Sequence, residues 1–454
     1  MTDNRQPGAN GEDIQVDPPA KHLRPEVRAQ WSSEPAFVFS MAAAAVGLGN
    51  LWRFPYMVGE NGGGAFILAY LVVLFGLAVP IMMLEVAAGR LQHGSVVTTF
   101  AGLTRLGRPY GWFVVALTVV VSSYYLVITG WTMGYAVNAL RQAITLFRDF
   151  TAGYGSVWYF LAVTALCGLV LLRGVRAIEA LSKLLMPVLA LMIAGLVGFA
   201  ATTEGWGPAA DFLLRWEPAA LARPELWAFA AGQAFYTLAI GQGYLVTYGS
   251  YIPRKTHVPR AALIVTATET GVALLAGWMI FPFVFSEGLA PDTGSDLAFT
   301  TLPRVFDGLA GGVYLATAFF LLFFFAAFSS CLAGLKVIVA ALAEELSLRN
   351  SHAVALTVAA MIVLGLPSAL SYSPLALTLW GMPVLDFLDR FGGTNVVLAS
   401  GVIGTTLLCW MLPAPRIVYA LGAKTGWWAL RILFAGRSLP FLAVALWLWY
   451  LRAG

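Results

Sequence analysis

Two glycine pairs lie beside hydrogen-bonding side chains inside long apolar runs. Gly47 and Gly49 are followed at once by Asn50, and Gly241-Gln242-Gly243 begins four residues after Thr237. Glycine in a helix interior costs roughly 1 kcal/mol relative to alanine, so these pairs predict that each helix unwinds. Unwound backbone presents carbonyl oxygens, which can bind a cation, and amide groups, which attract an anion. The pattern therefore predicts a site for a cation and a carboxylate.

The alternative for such glycines is close helix packing without a binding role. For one pair alone the two explanations are about equally good. The pairs, however, fall in the first and sixth of the predicted helices, five helices apart. An inverted repeat of two five-helix halves produces this spacing, which favours the binding role.

The composition predicts an all-α polytopic membrane protein. Hydrophobic residues make up 59% of the chain and charged residues 11%, with a mean hydropathy of +0.78. A soluble protein of this length needs more surface charge. Runs of roughly 20 apolar residues, the length of a membrane span, recur and predict about eleven helices with one loop helix near 297–308. The predicted spans are 35–58, 64–88, 109–141, 156–173, 177–202, 225–251, 258–287, 311–346, 351–370, 391–413 and 427–451.

Basic residues predict the orientation of these helices. Connections that follow even-numbered helices are rich in arginine and lysine, which favours the cytoplasmic side. The polar, proline-rich residues 1–30 include Lys21, Arg24 and Arg28 and predict a disordered cytoplasmic tail without a cleaved signal peptide. We expect residues 31–454 to form one membrane domain, because no second domain is visible in the sequence. The basic residues are Lys21, Arg24, Arg28, Arg90, Arg105, Arg108, Arg173, Arg176, Arg254, Lys255, Arg260, Arg416 and Lys424.

Several functions are excluded by what the sequence lacks. The net charge of +4 lies in short loop clusters and does not indicate a nucleic-acid partner. Cys167, Cys331 and Cys409 each lie in an apolar run and indicate neither a disulfide framework nor a zinc site. There is no HExxH or GxSxG motif and no cluster of histidines, so we expect no enzyme activity.

The stretch AVGLGNLWRFPYMVGENGGGAF, Ala45 to Phe66, resembles the signature of the neurotransmitter:sodium symporter family. The resemblance continues through Tyr124-Tyr125, Gly232 to Gly243, Ala326 to Cys331 and the acidic residues near Asp389. It implies a LeuT-like fold with a five-plus-five inverted repeat and broken helices 1 and 6. It also implies a symporter in the cell inner membrane, monomeric or weakly dimeric, which imports a small amino acid or a similar substrate with Na⁺ by alternating access.

The resemblance implies two sodium sites. The first comprises the carbonyl of Ala45, the side chain of Asn50, the carbonyl and hydroxyl of Thr237, nearby Glu269, and the substrate carboxylate. The Glu269 carboxylate supplies negative charge, which implies that chloride is not required. The second site comprises the carbonyls of Ala43, Val46 and Ala326 and the hydroxyls of Ser329 and Ser330. Taken alone, the two serines are more simply explained by hydrogen bonds to carbonyls of their own helix.

The resemblance also implies a substrate pocket between the two breaks. Ala239 and Gly334 are smaller than the residues usual in bacterial members and predict an enlarged pocket, whereas Tyr236 and Gln242 predict a more polar one. The substrate is then larger than leucine, carries a polar group or has a different amine. The implied pocket residues are Ala45, Leu48, Gly49, Val121, Tyr125, Tyr236, Thr237, Ala239, Gln242, Ser330 and Gly334.

Charged residues predict two gates. Arg53 lies one turn outside the first break, where a charge is costly and usually paired. The resemblance pairs it with Asp389, with Asp386 as the rival partner. The implied inner latch is formed by Arg28, Glu344, Trp31, Ser250 and Tyr251, although its charged members are equally compatible with an ordinary protein surface.

Two other functions remain open at this point. One is a proton-coupled amino-acid carrier, and the other is a sensor that binds substrate without moving it. Lys336 stands where family members often have an acid or amide, and a partner acid at the inner vestibule is the only role that the sequence suggests.

Overall fold

The protein is described by a computed structural model that covers residues 30–253, 255–292, 297–422 and 426–453. Within these ranges, eight continuous helices are long and apolar enough to cross a membrane, and the two halves of a bent helix add a ninth. The sixth and eleventh predicted spans are also helical. The predicted all-α polytopic fold is confirmed, whereas the predicted tail lies almost wholly outside the described residues.

The helices follow the predicted order, and each is numbered here as a span. Span 10 begins at Val384, earlier than the predicted 391, because the π-helical segment Leu388–Val396 continues it through a glycine pair. The spans are Glu34–Ala45 with Gly49–Glu60 (1), Gly64–Gln92 (2), Gly107–Leu140 (3), Gly155–Leu172 (4), Val175–Ala200 (5), Pro224–Thr237 with Tyr244–Gly249 (6), Val258–Ser286 (7), Gly312–Glu345 (8), Asn350–Ala369 (9), Val384–Met411 (10) and Trp427–Ala453 (11).

Short elements occupy the connections. The loop helix predicted near 297–308 is present as Leu297–Thr301, a π-helical turn, followed by Leu302–Gly308. A two-residue hairpin pairs Thr378–Leu379 with Met382–Pro383. The other connecting helices are Val96–Ala101, Phe147–Thr151, Trp206–Leu214, Pro218–Leu221 and Ala414–Leu421.

Spans 3 and 8 form the centre of the molecule. Each has 34 residues, and 72% and 78% of their most apolar windows are buried, against 33% for span 5 and 39% for spans 4 and 9. The peripheral helices therefore turn apolar faces outward, which is where lipid covers them. Spans 3 and 8 instead provide a packed wall for the two interrupted helices.

Span 1 is interrupted after Ala45, and its two halves are bent by 52°. Val46 takes an extended conformation with φ −74° and ψ 106°. A Cβ atom on Gly47 would lie 2.4 Å from the Ser330 Oγ atom and 2.6 Å from the Tyr125 hydroxyl. Any larger residue at this position would therefore displace side chains of spans 3 and 8, which approach the backbone closely.

Span 6 is interrupted for a different reason. Ala239, Gly241 and Gly243 have φ angles of 52°, 77° and 76°, so the chain passes through the left-handed region three times. Glycine adopts this region readily, whereas alanine does so only under constraint. Gly243 immediately precedes the second half-helix, which begins at Tyr244. Both predicted breaks are therefore present.

Distant side chains satisfy the backbone of the span 6 break. Glu85 Oε1 accepts a hydrogen bond from the Gly241 amide at 2.9 Å, and Ser400 donates to the Gly241 carbonyl at 2.7 Å. Thr118 donates to the Gln242 carbonyl at 2.8 Å. Unwound backbone at membrane depth is stable only when protein or water satisfies it. Spans 2, 3 and 10 thus hold the break open.

Candidate functional site

Three side chains of the predicted first sodium site meet between spans 1, 6 and 7. The Asn50 Nδ2 atom donates to the Glu269 Oε2 atom at 2.6 Å and to the Thr237 hydroxyl at 3.0 Å. The Thr237 hydroxyl donates to the same Glu269 oxygen at 2.8 Å, and Thr270 donates to the other at 3.0 Å. Asn50 and Glu269 are fully buried. A group of oxygens around a buried carboxylate is a chemically suitable environment for a hard cation.

The two serines of the predicted second site behave differently. Ser330 donates across to span 1, at 2.9 Å from the Ala44 carbonyl and 3.2 Å from the Val46 carbonyl. Ser329 donates to the Ala326 carbonyl of its own helix at 2.9 Å. The Ala43 carbonyl, which the resemblance implies as a ligand of this site, stays a prediction. The hydroxyls and carbonyls of this group thus lie where spans 1 and 8 touch.

A cavity of about 40 Å³ lies between the two breaks. Nine of the eleven predicted pocket residues line it. Leu48 instead donates its amide to the Tyr125 hydroxyl at 2.9 Å, and Gly334 lies outside the lining. Sequence reasoning missed Ala44, Gly47 and Tyr244. The lining residues are Ala44, Ala45, Gly47, Gly49, Val121, Tyr125, Tyr236, Thr237, Ala239, Gln242, Tyr244 and Ser330.

The expected enlargement of the pocket beside Gly334 is absent. A Cβ atom on Gly334 would lie 2.4 Å from the Tyr244 hydroxyl, so the tyrosine fills the space that the small residue leaves. Ala239 does line the cavity, together with Tyr236 and Gln242. The pocket is therefore small, and polar side chains form part of its wall.

Gln233 connects the two broken helices. Its Nε2 atom donates to the Gly49 carbonyl at 2.9 Å, and the side chain is fully buried. Sequence reasoning missed this residue. The available signal was an amide side chain inside an apolar helix, one turn before Thr237.

Arg53 covers the cavity on the side of the second half of span 1. Its guanidinium carbon lies 4.5 Å from the centre of the Tyr236 ring, and the side chain interacts electrostatically with Asp389. Asp386, the rival partner, accepts a hydrogen bond from the Tyr372 hydroxyl at 2.6 Å. The residues of the predicted outer gate therefore lie together above the aromatic wall of the cavity.

Trp31 closes the opposite side. Its backbone amide donates to the Tyr251 carbonyl at 3.0 Å, and its indole donates to the Tyr248 carbonyl at 3.2 Å. Ser250 donates to the Thr247 carbonyl at 2.6 Å. Glu344 accepts from the Ser95 amide at 2.5 Å. Its predicted partner Arg28 lies outside the described residues.

Two further charged residues belong to this side. Glu179 on span 5 accepts from the Ser32 amide at 2.9 Å and forms an ion pair with Lys183 at 2.5 Å. This contact, which sequence reasoning missed, ties the residue next to Trp31 to span 5. Lys336 places its ammonium 5.4 Å from the centre of the Tyr251 ring, and this aromatic contact replaces the suggested acid.

Comparison with known proteins agrees with this architecture. Residues 28–148 and 154–441 match the sodium:neurotransmitter symporter family. An uncharacterised sodium-dependent transporter of Bacillus subtilis is 34% identical over 390 residues, which cover 82% of this chain and 86% of that protein. One from Haemophilus influenzae is 30% identical over 405 residues, which cover 84% and 88%.

A solved structure has the same fold. The crystal structure of MhsT in complex with L-phenylalanine superposes with a TM-score of 0.84 at 31% sequence identity, covering 92% of this chain and 100% of that one. Together with the family match over most of the sequence, this shows that the chain is a multi-pass membrane transporter, not an enzyme, and that it belongs to the sodium:neurotransmitter symporter family.

Proposed function

We propose that the chain imports a small amino acid together with sodium by alternating access, and that it does so without chloride. The observation that carries this proposal is the meeting of Asn50, Thr237 and Glu269 directly beside a cavity that spans 1 and 6 enclose. A cation held there shares its ligand shell with a carboxylate in the cavity. Sodium and substrate then strengthen each other's binding, which is the basis of coupling.

The second group, around Ser329 and Ser330, supports a second sodium ion. Its hydroxyls and carbonyls come from span 1, which is interrupted, and from span 8, which is continuous. An ion there stabilises one arrangement of the broken helix against the wall. Each sodium charge that crosses the membrane adds roughly 2.3 kcal/mol per 100 mV to the driving force.

Two observations support an amino acid as the substrate. The Leu48 amide donates to the Tyr125 hydroxyl at 2.9 Å, and this hydroxyl belongs to a residue that lines the cavity, where a hydroxyl donor can bind a carboxylate. Carbonyl oxygens of the interrupted backbone are suitable acceptors for an ammonium group. The related MhsT was crystallised with L-phenylalanine, which is an α-amino acid of the same general chemistry.

The buried Glu269 supports chloride independence. Sodium needs negative charge nearby when it is taken out of water, and this carboxylate provides it without an external anion. The packed residues on both sides of the cavity support alternating access. Arg53 with Tyr236 covers one side, and Trp31 with Tyr248 and Tyr251 covers the other.

The test is uptake of radiolabelled amino acids by proteoliposomes that contain the purified full chain. We expect uptake driven by an inward sodium gradient, equal in chloride and gluconate, and absent in potassium. Uptake that follows a proton gradient without sodium would replace the proposal by a proton-coupled carrier. Sodium-dependent binding without uptake would favour the substrate-binding sensor.

A further inference from the structure

The start of span 1 is bonded to a short stretch of chain between spans 6 and 7. Trp31 donates its backbone amide to the Tyr251 carbonyl at 3.0 Å and its indole to the Tyr248 carbonyl at 3.2 Å. Glu34, three residues later, accepts a hydrogen bond from the His257 amide at 3.2 Å. These contacts on either side of Ser32 therefore join span 1 to a single neighbouring part of the inner side.

Ser32 is bonded to a different helix. Its backbone amide donates to the Glu179 Oε2 atom at 2.9 Å, and its hydroxyl donates to the Oε1 atom. Lys183, one turn later on span 5, donates to the same Oε1 atom at 2.5 Å. Both carboxylate oxygens of Glu179 thus accept hydrogen bonds, and two of the three donors come from the start of span 1.

Burial makes the contact to span 5 stronger than the nearby ion pair with span 7. The Glu179 side chain is 8% exposed, and hydrogen bonds to a charged group of this kind are stronger than those between neutral groups. Glu34 pairs with Arg260 at 3.6 Å, and their side chains are 24% and 72% exposed. Exposed ion pairs contribute little, so Glu179 is the firmer anchor for this segment.

Lys183 allows Glu179 to release Ser32. A buried carboxylate that loses its partners is costly, but Lys183 lies on the same helix at i,i+4 spacing. This ion pair persists when span 1 moves, so the carboxylate keeps one partner in either arrangement. The contact between Ser32 and Glu179 can therefore form and break repeatedly.

We propose that Glu179 is a positioning residue that holds the inner side of the transporter closed. Its carboxylate bonds Ser32 in the closed arrangement and keeps only Lys183 when the first half of span 1 moves away from span 5. The proposal rests on the proposed function, because closing and opening of the inner side belong to alternating access. The first half of span 1 ends at Ala45, which lines the cavity, so its displacement gives the cavity a route to the inner side.

The test is the rate at which a small water-soluble thiol reagent labels Ser40→Cys in the purified full chain without sodium. Ser40 lies in the first half of span 1 and is 1% exposed, so labelling reports local opening. We expect Glu179→Gln to raise this rate about tenfold, because bonds to a charged acceptor are weakened. The buried native thiols of Cys167 and Cys409, followed by peptide mapping, should stay unlabelled.

Three further variants, each combined with Ser40→Cys, test the contact itself. Glu345→Gln removes an inner-side carboxylate that is 11% exposed and pairs with Arg108 at 2.7 Å, and the labelling rate should not change. Glu34→Gln should raise the rate by less than about threefold. Ser32→Ala should raise it less than Glu179→Gln does, and the two together should give less than the sum of their separate effects, because both remove the same contact.

The outcomes separate this inference from the proposed function. An unchanged labelling rate in Glu179→Gln would overturn the inference, and so would equally faster labelling of Cys167 and Cys409, which indicates a general loss of stability. Sodium should slow the labelling in the Ser40→Cys parent, because the second proposed ion lies at the end of the same half-helix. If sodium has no effect while Glu179→Gln still labels faster, the contact is supported and the proposed sodium coupling is overturned.

Discussion

The Gln233 side chain donates a hydrogen bond of 2.9 Å to the Gly49 carbonyl, and this contact joins the two interrupted helices close to both breaks. Gly49 begins the π-helical turn after the first break, and Gln233 lies one turn before the second. The Gly49 carbonyl also accepts a hydrogen bond from the Phe54 amide of its own span. The amide of Gln233 therefore adds a second donor to this carbonyl from span 6.

Replacing Gln233 by methionine should destabilise the protein. The methionine keeps the approximate volume but removes one of the two donors to the buried Gly49 carbonyl, and the loss of such a hydrogen bond costs about 0.5–1.5 kcal/mol. We expect a lower midpoint of thermal unfolding in detergent. Thr268→Val, on an exposed face of span 7, is the control and should have little effect. Equal midpoints for the two variants would contradict this role.

Asn50→Ala should raise the sodium requirement. The variant removes a polar group that contacts both Thr237 and Glu269, so we expect the half-saturating sodium concentration to rise at least about tenfold, which corresponds to roughly 1.4 kcal/mol. Sodium-dependent uptake in proteoliposomes provides the measurement. Asn61→Ala, at the end of the same span, should retain the parental dependence. The same curve for both variants would exclude Asn50 from the site.

Glu269→Gln tests whether the Glu269 carboxylate supplies the negative charge beside the first sodium site. The variant keeps the shape of the side chain but removes its charge, so we expect weaker sodium binding by about tenfold or more. Glu60→Gln, at the end of span 1, is the matched control. In the parent, replacing chloride by gluconate should leave uptake unchanged. A loss of uptake in gluconate would show that the carboxylate does not replace chloride.

Ser330→Ala should change the cooperativity of sodium dependence. Removing the hydroxyl that reaches the carbonyls of Ala44 and Val46 weakens one ion site and spares the other. We expect the Hill coefficient for sodium to fall from about 2 toward 1. Thr317→Ala removes a hydroxyl of the same helix that bonds only its own backbone, and it should leave the coefficient unchanged. Unaltered cooperativity in Ser330→Ala would argue against a second site.

Lys336→Met should loosen the inner side of the cavity. The contact between the ammonium and the Tyr251 ring is worth about 0.5–2 kcal/mol, so its loss should accelerate efflux from preloaded proteoliposomes by up to about tenfold. Lys336→Arg should behave as the parent, since a guanidinium also binds an aromatic face. Faster efflux in both variants would indicate a packing defect instead.

The sequence predicts where spans 1 and 6 are interrupted, but it does not predict which side chains bond the interrupted backbone. Paired glycines beside Asn50 and Thr237 are local signals, so both interruptions and most of the cavity lining could be predicted. The partners of the free backbone groups come from elsewhere: Glu85 and Ser400 bond Gly241 across more than 150 positions. No local pattern marks such pairs, because hydroxyl groups are common in membrane helices.

The pocket size could not be predicted for a related physical reason. A small residue such as Gly334 indicates free space only if its neighbours are known, and the atom that fills the space belongs to Tyr244, 90 positions earlier. The difference between the two glycine pairs was equally hidden. Neighbouring side chains crowd Gly47, whereas the left-handed backbone conformation favours glycine at 243. In the sequence, both glycines belong to the same GxG motif.

The packing of Tyr244 against Gly334 also limits which substitutions these two positions accept. A Cβ atom at 334 would lie 2.4 Å from the tyrosine hydroxyl, so a larger residue there requires the tyrosine to move. A shorter side chain at 244 removes this clash and leaves a void that a larger residue at 334 can fill. We therefore expect the residue sizes at the two positions to vary inversely among proteins of this fold.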